Sequence, residues 1–357
     1  MAVKPVSAAT TIVAMVFVAM RPTDTILAFT IPPVASVHVS RHPQEKQSSR
    51  TRRRTSINLY RKFHDYAWDK LLLDNNQELD TVPEELKSNA SPAKAGTNVV
   101  ATIKSISQFP CLSLDSDKDD ESGKVLRLAR SAFLETQTAE NEALITNMTI
   151  HVLNFVLFPS THIIQDGYNL GLPIFGADIV SLPGNKHLVA LDFQPVLPLD
   201  NATSSSFFPE MYSHLERKLE AVHSKYQRSD SDSAPLLPWG GDIPPQAQRF
   251  FSPYALWTRL SDENAMNTVN TVVYEAFQEY TDLYLELMNA VQNDINAGKL
   301  ELEAAEGLET DNNPVWKGQI DYLEYRRTND PARPMLQRLY GNEWSENVIG
   351  NVLFPDL

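Results

Sequence analysis

The sequence predicts a three-layer α-β-α sandwich: α/β, with a central antiparallel sheet flanked by helices. Three observations lead there. Short extended runs bounded by turns fill the middle of the chain. Two of them, Pro173–Leu182 and His187–Val196, flank Pro183-Gly184-Asn185-Lys186, the pattern of a β-hairpin. Helical periodicity governs the stretch after residue 58 and the C-terminal third, so helices are available to cover the sheet.

Taken in order, Leu59–Leu73 has apolar and aromatic residues at helical spacing and reads as a helix. Asp74–Thr97, polar and carrying Pro83 and Pro92, reads as loop. Asn98–Ser107 alternates weakly and is the first strand. Asp115–Gly123 is an acidic turn. Lys124–Glu135 alternates apolar and polar residues, and Thr149–Pro159 is β-branched and apolar, so both are strands. The hairpin follows, then a helix over Pro209–Tyr226, a Ser/Asp/Pro loop over Arg228–Gly241 and a further strand over Phe250–Arg259. Asn267–Asn296, Val315–Thr328 and Ala332–Tyr340 are helical, the last two separated by Asn329-Asp330-Pro331.

The chain has 357 residues, 42% of them hydrophobic, which supports a real core. Its single cysteine, Cys111, excludes an internal disulfide framework and a cysteine-ligated cluster. A net charge of −14 argues against general nucleic-acid binding. The charge is divided unevenly. Residues 1–60 hold eight Lys/Arg against two acids, +6, which leaves about −20 for the rest. Thr10–Met20 is apolar but too short to span a membrane, and fits a signal-peptide core. The Ser/Arg-rich, acid-poor stretch after Ala28 has the composition of a transit peptide. Together they are similar to bipartite leaders for import into secondary plastids of algae. Residues 1–60 are therefore read as targeting leader and 61–357 as one domain, plastid-located, with no membrane segment once the leader is removed.

No Gly-rich dinucleotide fingerprint, P-loop, H-E-x-x-H or nucleophile elbow is present, and the eight histidines lack metal-ligand spacing. What stands out is polar residues in apolar settings. Asp178 interrupts the hairpin, where a carboxylate is costly to desolvate unless paired, protonated or facing a ligand. Asn154 interrupts Leu153–Phe158. Asp330 precedes Pro331, a pattern a helix N-cap explains equally well. Taken singly, each has an ordinary structural explanation.

Taken together, six blocks resemble the ferredoxin-dependent bilin reductases. They are LNFVLFP (Leu153–Pro159), LPIFGADIVSLPG (Leu172–Gly184), LVALDFQP (Leu188–Pro195), LPWGGDIP (Leu237–Pro244), FFSPYALWTR (Phe250–Arg259) and YRRTNDPARPMLQRLYGNEW (Tyr325–Trp344). The resemblance runs from about Lys124 to the tail Val352–Leu357, with Gln137–Asn147 and Glu301–Asn313 as insertions. It implies a tetrapyrrole between the sheet and the C-terminal helices. It implies no bound metal or organic cofactor, with electrons arriving singly from an external [2Fe–2S] ferredoxin and carried as a bilin radical. Asp178 and Asp330 match the family's proton-donating aspartates, and burial should hold a proton on Asp178 near pH 7. Arg326, one helical turn before Asp330, is placed to pair with a bilin propionate or with Asp330. The biliverdin-reducing branch that makes phycocyanobilin carries a histidine where this chain has Asn154, which cannot deliver a proton as imidazole does. Asn154 therefore points to the branch that reduces the A-ring end of 15,16-dihydrobiliverdin to phycoerythrobilin. A further acidic position of the family maps to Glu135 across the first insertion. The alternatives are reduction of biliverdin to 15,16-dihydrobiliverdin, and a non-catalytic bilin carrier. Expected partners are the bilin, ferredoxin docking on basic residues among Lys317, Arg326, Arg327, Arg333 and Arg338, and the preceding bilin reductase as a channelling partner.

Overall fold

The computed structural model describes residues 59–71, 81–93, 96–107, 125–138, 150–198, 207–227, 234–303 and 313–356. Residues 1–58 of the expected leader and the acidic turn Asp115–Gly123 lie outside the described residues, as do most of both insertions.

Seven antiparallel strands form the central sheet in the order β1 (Ser88–Ala90), β2 (Thr97–Ser107), β3 (Leu126–Thr138), β4 (His151–Pro159), β7 (Ile174–Leu182), β8 (Lys186–Gln194) and β9 (Leu256–Leu260). The expected hairpin is β7–β8, with Leu182 opposite Lys186. Its turn is possible because Gly184 and Asn185 both adopt positive φ, 84° and 57°. Every residue of β4 is buried, so the strand is covered on both faces and its continuous apolar run is explained. A second, three-stranded sheet joins β5 (Ile163–Gln165), β6 (Tyr168–Asn169) and β10 (Glu301–Leu302). Sequence reading missed β5–β6, although Asp166-Gly167 at their turn, both at positive φ, is a hairpin signal. It also took residues 84–90 as loop, where the structure has a helical turn (Glu84–Lys87) and edge strand β1.

Two helical layers cover the sheet. On one face, α1 (Arg61–Lys70), Ser213–Gln227 and the long helix Tyr274–Asn296 pack against odd-numbered positions of β4 and β7. Phe175 is the hub there, with Phe155, Phe193, Phe277 and Tyr284 at 5.5–6.2 Å between ring centroids. On the other face lie Pro314–Asn329, Arg333–Tyr340, Asn342–Val348 and a π-helical turn, Ile349–Leu353, against Val152, Val156, Phe158 and Val180. This is the sandwich the sequence predicts. The expected strand over Phe250–Arg259 is shorter, Leu256–Leu260 only. Pro253 has no N–H to give a ladder, and the Ser252 N–H donates to Asp192 instead.

Helix Pro314–Asn329 carries the C-terminal candidates, and its height above the sheet is set at Gly318. A Cβ there would lie 1.8 Å from the Val196 carbonyl oxygen. In an unconstrained helix, Gly→Ala stabilises by about 1 kcal/mol. Here the sign reverses: Gly318→Ala drives the helix off the strand end and destabilises by ~1–3 kcal/mol or more. Thermal unfolding of the variant checks this, with a lowered Tm as the expected result.

Candidate functional site

Strand alternation places Asn154, Val156 and Phe158 of β4 on the face beneath Pro314–Asn329. The β4–β7 register sets Asn154 directly opposite Asp178. Asn154 Nδ2 donates to Asp178 Oδ1 at 2.8 Å. The other carboxylate oxygen forms an ion pair with Arg326 Nη1 at 2.6 Å, and both side chains are only 9% exposed. Three of the four sequence-derived residues, Asn154, Asp178 and Arg326, thus form one buried unit that bridges sheet and helix.

Arg326 therefore does not pair with Asp330, as the sequence alone allowed; its partner is Asp178 across the layer. Tyr322 precedes it by one turn, buried on the same stripe, and the Phe354 ring lies 5.0 Å from its guanidinium carbon. Burial alone would lower the Arg326 pKa. The charge of Asp178, with contributions from Tyr322 and Asp330, outweighs it and raises the pKa.

Asp330 sits where Pro314–Asn329 ends. Its Oδ1 accepts from the Ala332 N–H at 2.8 Å, the local turn that the following proline encourages. Burial pushes its carboxyl up to about 6, against the pull of Arg326 and with a further push from Asp178. Asp178, the expected proton holder, stands as half of an ion pair with Arg326, and Asp330 is the neighbouring carboxyl that burial lifts to about 6. Glu135 does not join them. It lies on β3 three positions from Ala132, which registers with Asn154, so it faces the opposite helical layer.

Sequence reading passed over Asp192. It lies on β8 opposite Gly176, on the same sheet face as Asp178. It is 1% exposed and accepts from the Ser252 N–H and Oγ–H at 2.9 and 2.5 Å. Burial raises its pKa to about 7 despite those bonds. An acid inside the apolar run Leu188–Phe193 was the available signal, the same one that singled out Asp178.

The tail closes over this face. Arg130 of β3 donates to the Val352 carbonyl. Arg327 Nε donates to the Phe354 carbonyl at 2.5 Å, and its Nη2 pairs with Asp356 at 2.6 Å. A slot of about 10 Å³ remains, bordered by Asn154, Val156, Phe158, Leu353 and Phe354. Asn154 Oδ1 has no hydrogen-bond partner among the described residues, and neither has Gln319 Oε1 on the helix above. Buried acceptors left open on a facing pair of elements are what a polar ligand satisfies. No group of three or more His, Cys, Asp or Glu suited to a metal occurs among the described residues. No helix among them is long and apolar enough to cross a membrane.

Comparison with known proteins places the chain in a family. Residues 137–355 match the family model described as ferredoxin-dependent bilin reductase. The chain is 33% identical over 303 residues to phycoerythrobilin:ferredoxin oxidoreductase of Nostoc punctiforme, covering 84% of this chain and 94% of that one. It is 37% identical over 230 residues to the enzyme of the same name from Prochlorococcus marinus, covering 64% and 72%. In fold it is similar to the crystal structure of phytochromobilin synthase from tomato, solved in complex with biliverdin. The TM-score is 0.53 at 23% identity, over 83% of this chain and 82% of that one. Matched across its sheet and C-terminal layer, the chain belongs to the ferredoxin-dependent bilin reductases and is an oxidoreductase.

Proposed function

We propose that this chain reduces 15,16-dihydrobiliverdin at its A-ring end to phycoerythrobilin, taking two electrons one at a time from ferredoxin and adding two protons. The observation that carries the reading is the buried Asn154–Asp178–Arg326 unit beside Asp330, whose carboxyl burial raises to about 6. A bilin reduced by single electrons must be protonated from positioned donors, and two carboxyls served by one guanidinium supply them. Asp330 is the ready donor. Asp178 is oriented by Asn154 and acts once Arg326 moves off it as the bilin enters. Asn154 contributes a hydrogen-bonding acceptor without acid chemistry of its own. The names of the relatives support this step over reduction of biliverdin. The slot beneath the tail is far smaller than a tetrapyrrole, so on this reading Leu353 and Phe354 yield as the substrate binds.

The docking surface for ferredoxin narrows to the exposed cations. Arg326 is buried, Arg327 and Arg333 are tied to Asp356 and Glu346, and Lys317 is paired with Asp321, so among the named cations exposed Arg338 remains the open candidate. We further propose a plastid location with residues 1–60 as leader, and the preceding bilin reductase as the source of substrate.

Anaerobic incubation with reduced ferredoxin and 15,16-dihydrobiliverdin should yield phycoerythrobilin. Conversion of biliverdin to 15,16-dihydrobiliverdin instead would overturn the assigned step, and binding of both pigments with no spectral change would make the chain a carrier. Asp178→Asn should keep bilin affinity within about threefold while turnover falls ~10²-fold or more, the usual worth of a proton donor. Undiminished turnover removes Asp178 from the mechanism. Because burial raises Asp330 to about 6, its protonated fraction, and with it kcat, should fall as pH rises through about 6. Asp330→Asn should lower kcat and erase that limb of the profile. The sign for stability is the same: the raised carboxyl contributes fully below its ordinary value and loses that contribution as pH climbs past about 6.

A further inference from the structure

We propose that Arg127 anchors a carboxylate of the substrate at the rim of the layer between sheet and C-terminal helices. The assignment rests on the bilin reading above. Arg127 occupies the irregularity in the β3–β4 pairing, where the register shifts between Leu126 and Leu128. A bulge re-aims the side chain it carries, and this one leaves the ladder to lie between two aromatic rings. Its guanidinium carbon is 4.4 Å from the Trp316 ring centroid and 5.9 Å from that of Phe158. Trp316 is itself fixed, because Asn313 caps the first turn of its helix through the Val315 and Trp316 N–H groups.

The aromatic seats hold the guanidinium but leave its polar edge unused. Nε and Nη2 have no hydrogen-bond partner, and no carboxylate of the described residues pairs with it. The other arginines of this layer are engaged: Arg326 with Asp178, Arg327 with the tail, Arg130 with the Val352 carbonyl. Burial lowers the Arg127 pKa to about 10, so the group stays charged at neutral pH. A half-buried cation without a counter-charge is costly, and a planar carboxylate matches its free fork of donors.

The spacing suits a linear tetrapyrrole. Phe158, the ring beneath Arg127, is four residues along β4 from Asn154, about 13 Å at the rise of an extended strand. The propionates of a bilin hang from its two central rings, set back from the terminal ring that is reduced. A terminal ring at Asn154 and Asp178 therefore brings one propionate toward Arg127.

The test compares dissociation constants, by absorbance titration, of 15,16-dihydrobiliverdin and its dimethyl ester, in wild type and in Arg127→Gln and Arg127→Lys. In wild type, esterification should weaken binding at least about tenfold, the scale of a charge-assisted hydrogen bond. Arg127→Gln should weaken the diacid by a similar factor and leave the ester nearly unchanged, so that most of the esterification penalty disappears. Arg127→Lys should restore part of it. An undiminished penalty in Arg127→Gln, or unchanged affinity for the diacid, overturns the assignment and leaves Arg127 a packing residue. If Arg127→Gln does not fold, the lysine variant decides: it should weaken the diacid several-fold and spare the ester, and equal effects on both overturn the proposal. A wild-type chain that binds neither pigment overturns the bilin reading itself, and this anchor with it.

Discussion

One ion pair ties this protein together where it matters. Asp178 belongs to the sheet and Arg326 to the helix above it, and nearly all solvent is excluded from both. Taking such a pair out of water costs on the order of several kcal/mol per ion, and mutual attraction repays that only when further bonds satisfy the remaining polar atoms. Asn154 satisfies one carboxylate oxygen, and the Phe354 ring lies against the guanidinium. A hydrophobic bridge between the same elements would hold them with less penalty. Keeping charges there has an electrostatic consequence, because each charge shifts the titration of its neighbours. Asp330 shows the effect, lifted by burial and by Asp178 and restrained by Arg326.

How much was legible in the sequence depended on whether a signal was local. The β7–β8 turn announced itself through Gly184 and Asn185, because only a few residue types accept positive φ. Strand β4 and the helix Tyr274–Asn296 were readable from unbroken apolar runs and helical spacing. The acids in apolar runs were visible too, and Asp178 was picked out, whereas Asp192 carried the same mark and was passed over. What no local pattern encodes is partnership across the layer. That Arg326 meets Asp178 rather than its helical neighbour Asp330, or that Ser252 turns away from a strand to bind Asp192, follows from packing of elements 60 or more residues apart. Glu135 failed for a related reason. An insertion between two strands hides which residues register, and one step of register moves a side chain to the other face.

The same layer explains why the tail VLFPD is woven into the fold. Three arginines, from β3 and from two consecutive helical positions, hold Val352, Phe354 and Asp356. A π-helical turn at Ile349–Leu353 brings the tail to them, and such turns recur where local geometry serves function. The cations that sequence alone offered to an acidic partner are thus partly consumed inside the molecule, leaving the partner a smaller set on the surface.

Gly318 carries a consequence of its own. Its helix touches the strand end backbone to backbone, near its first turn, while Asp330 lies twelve residues away, about 18 Å along the axis. The Arg326–Asp178 pair ties the same helix to the sheet two turns further on, so the spacing between the layers is pinned both at the crowded glycine and at the buried charges.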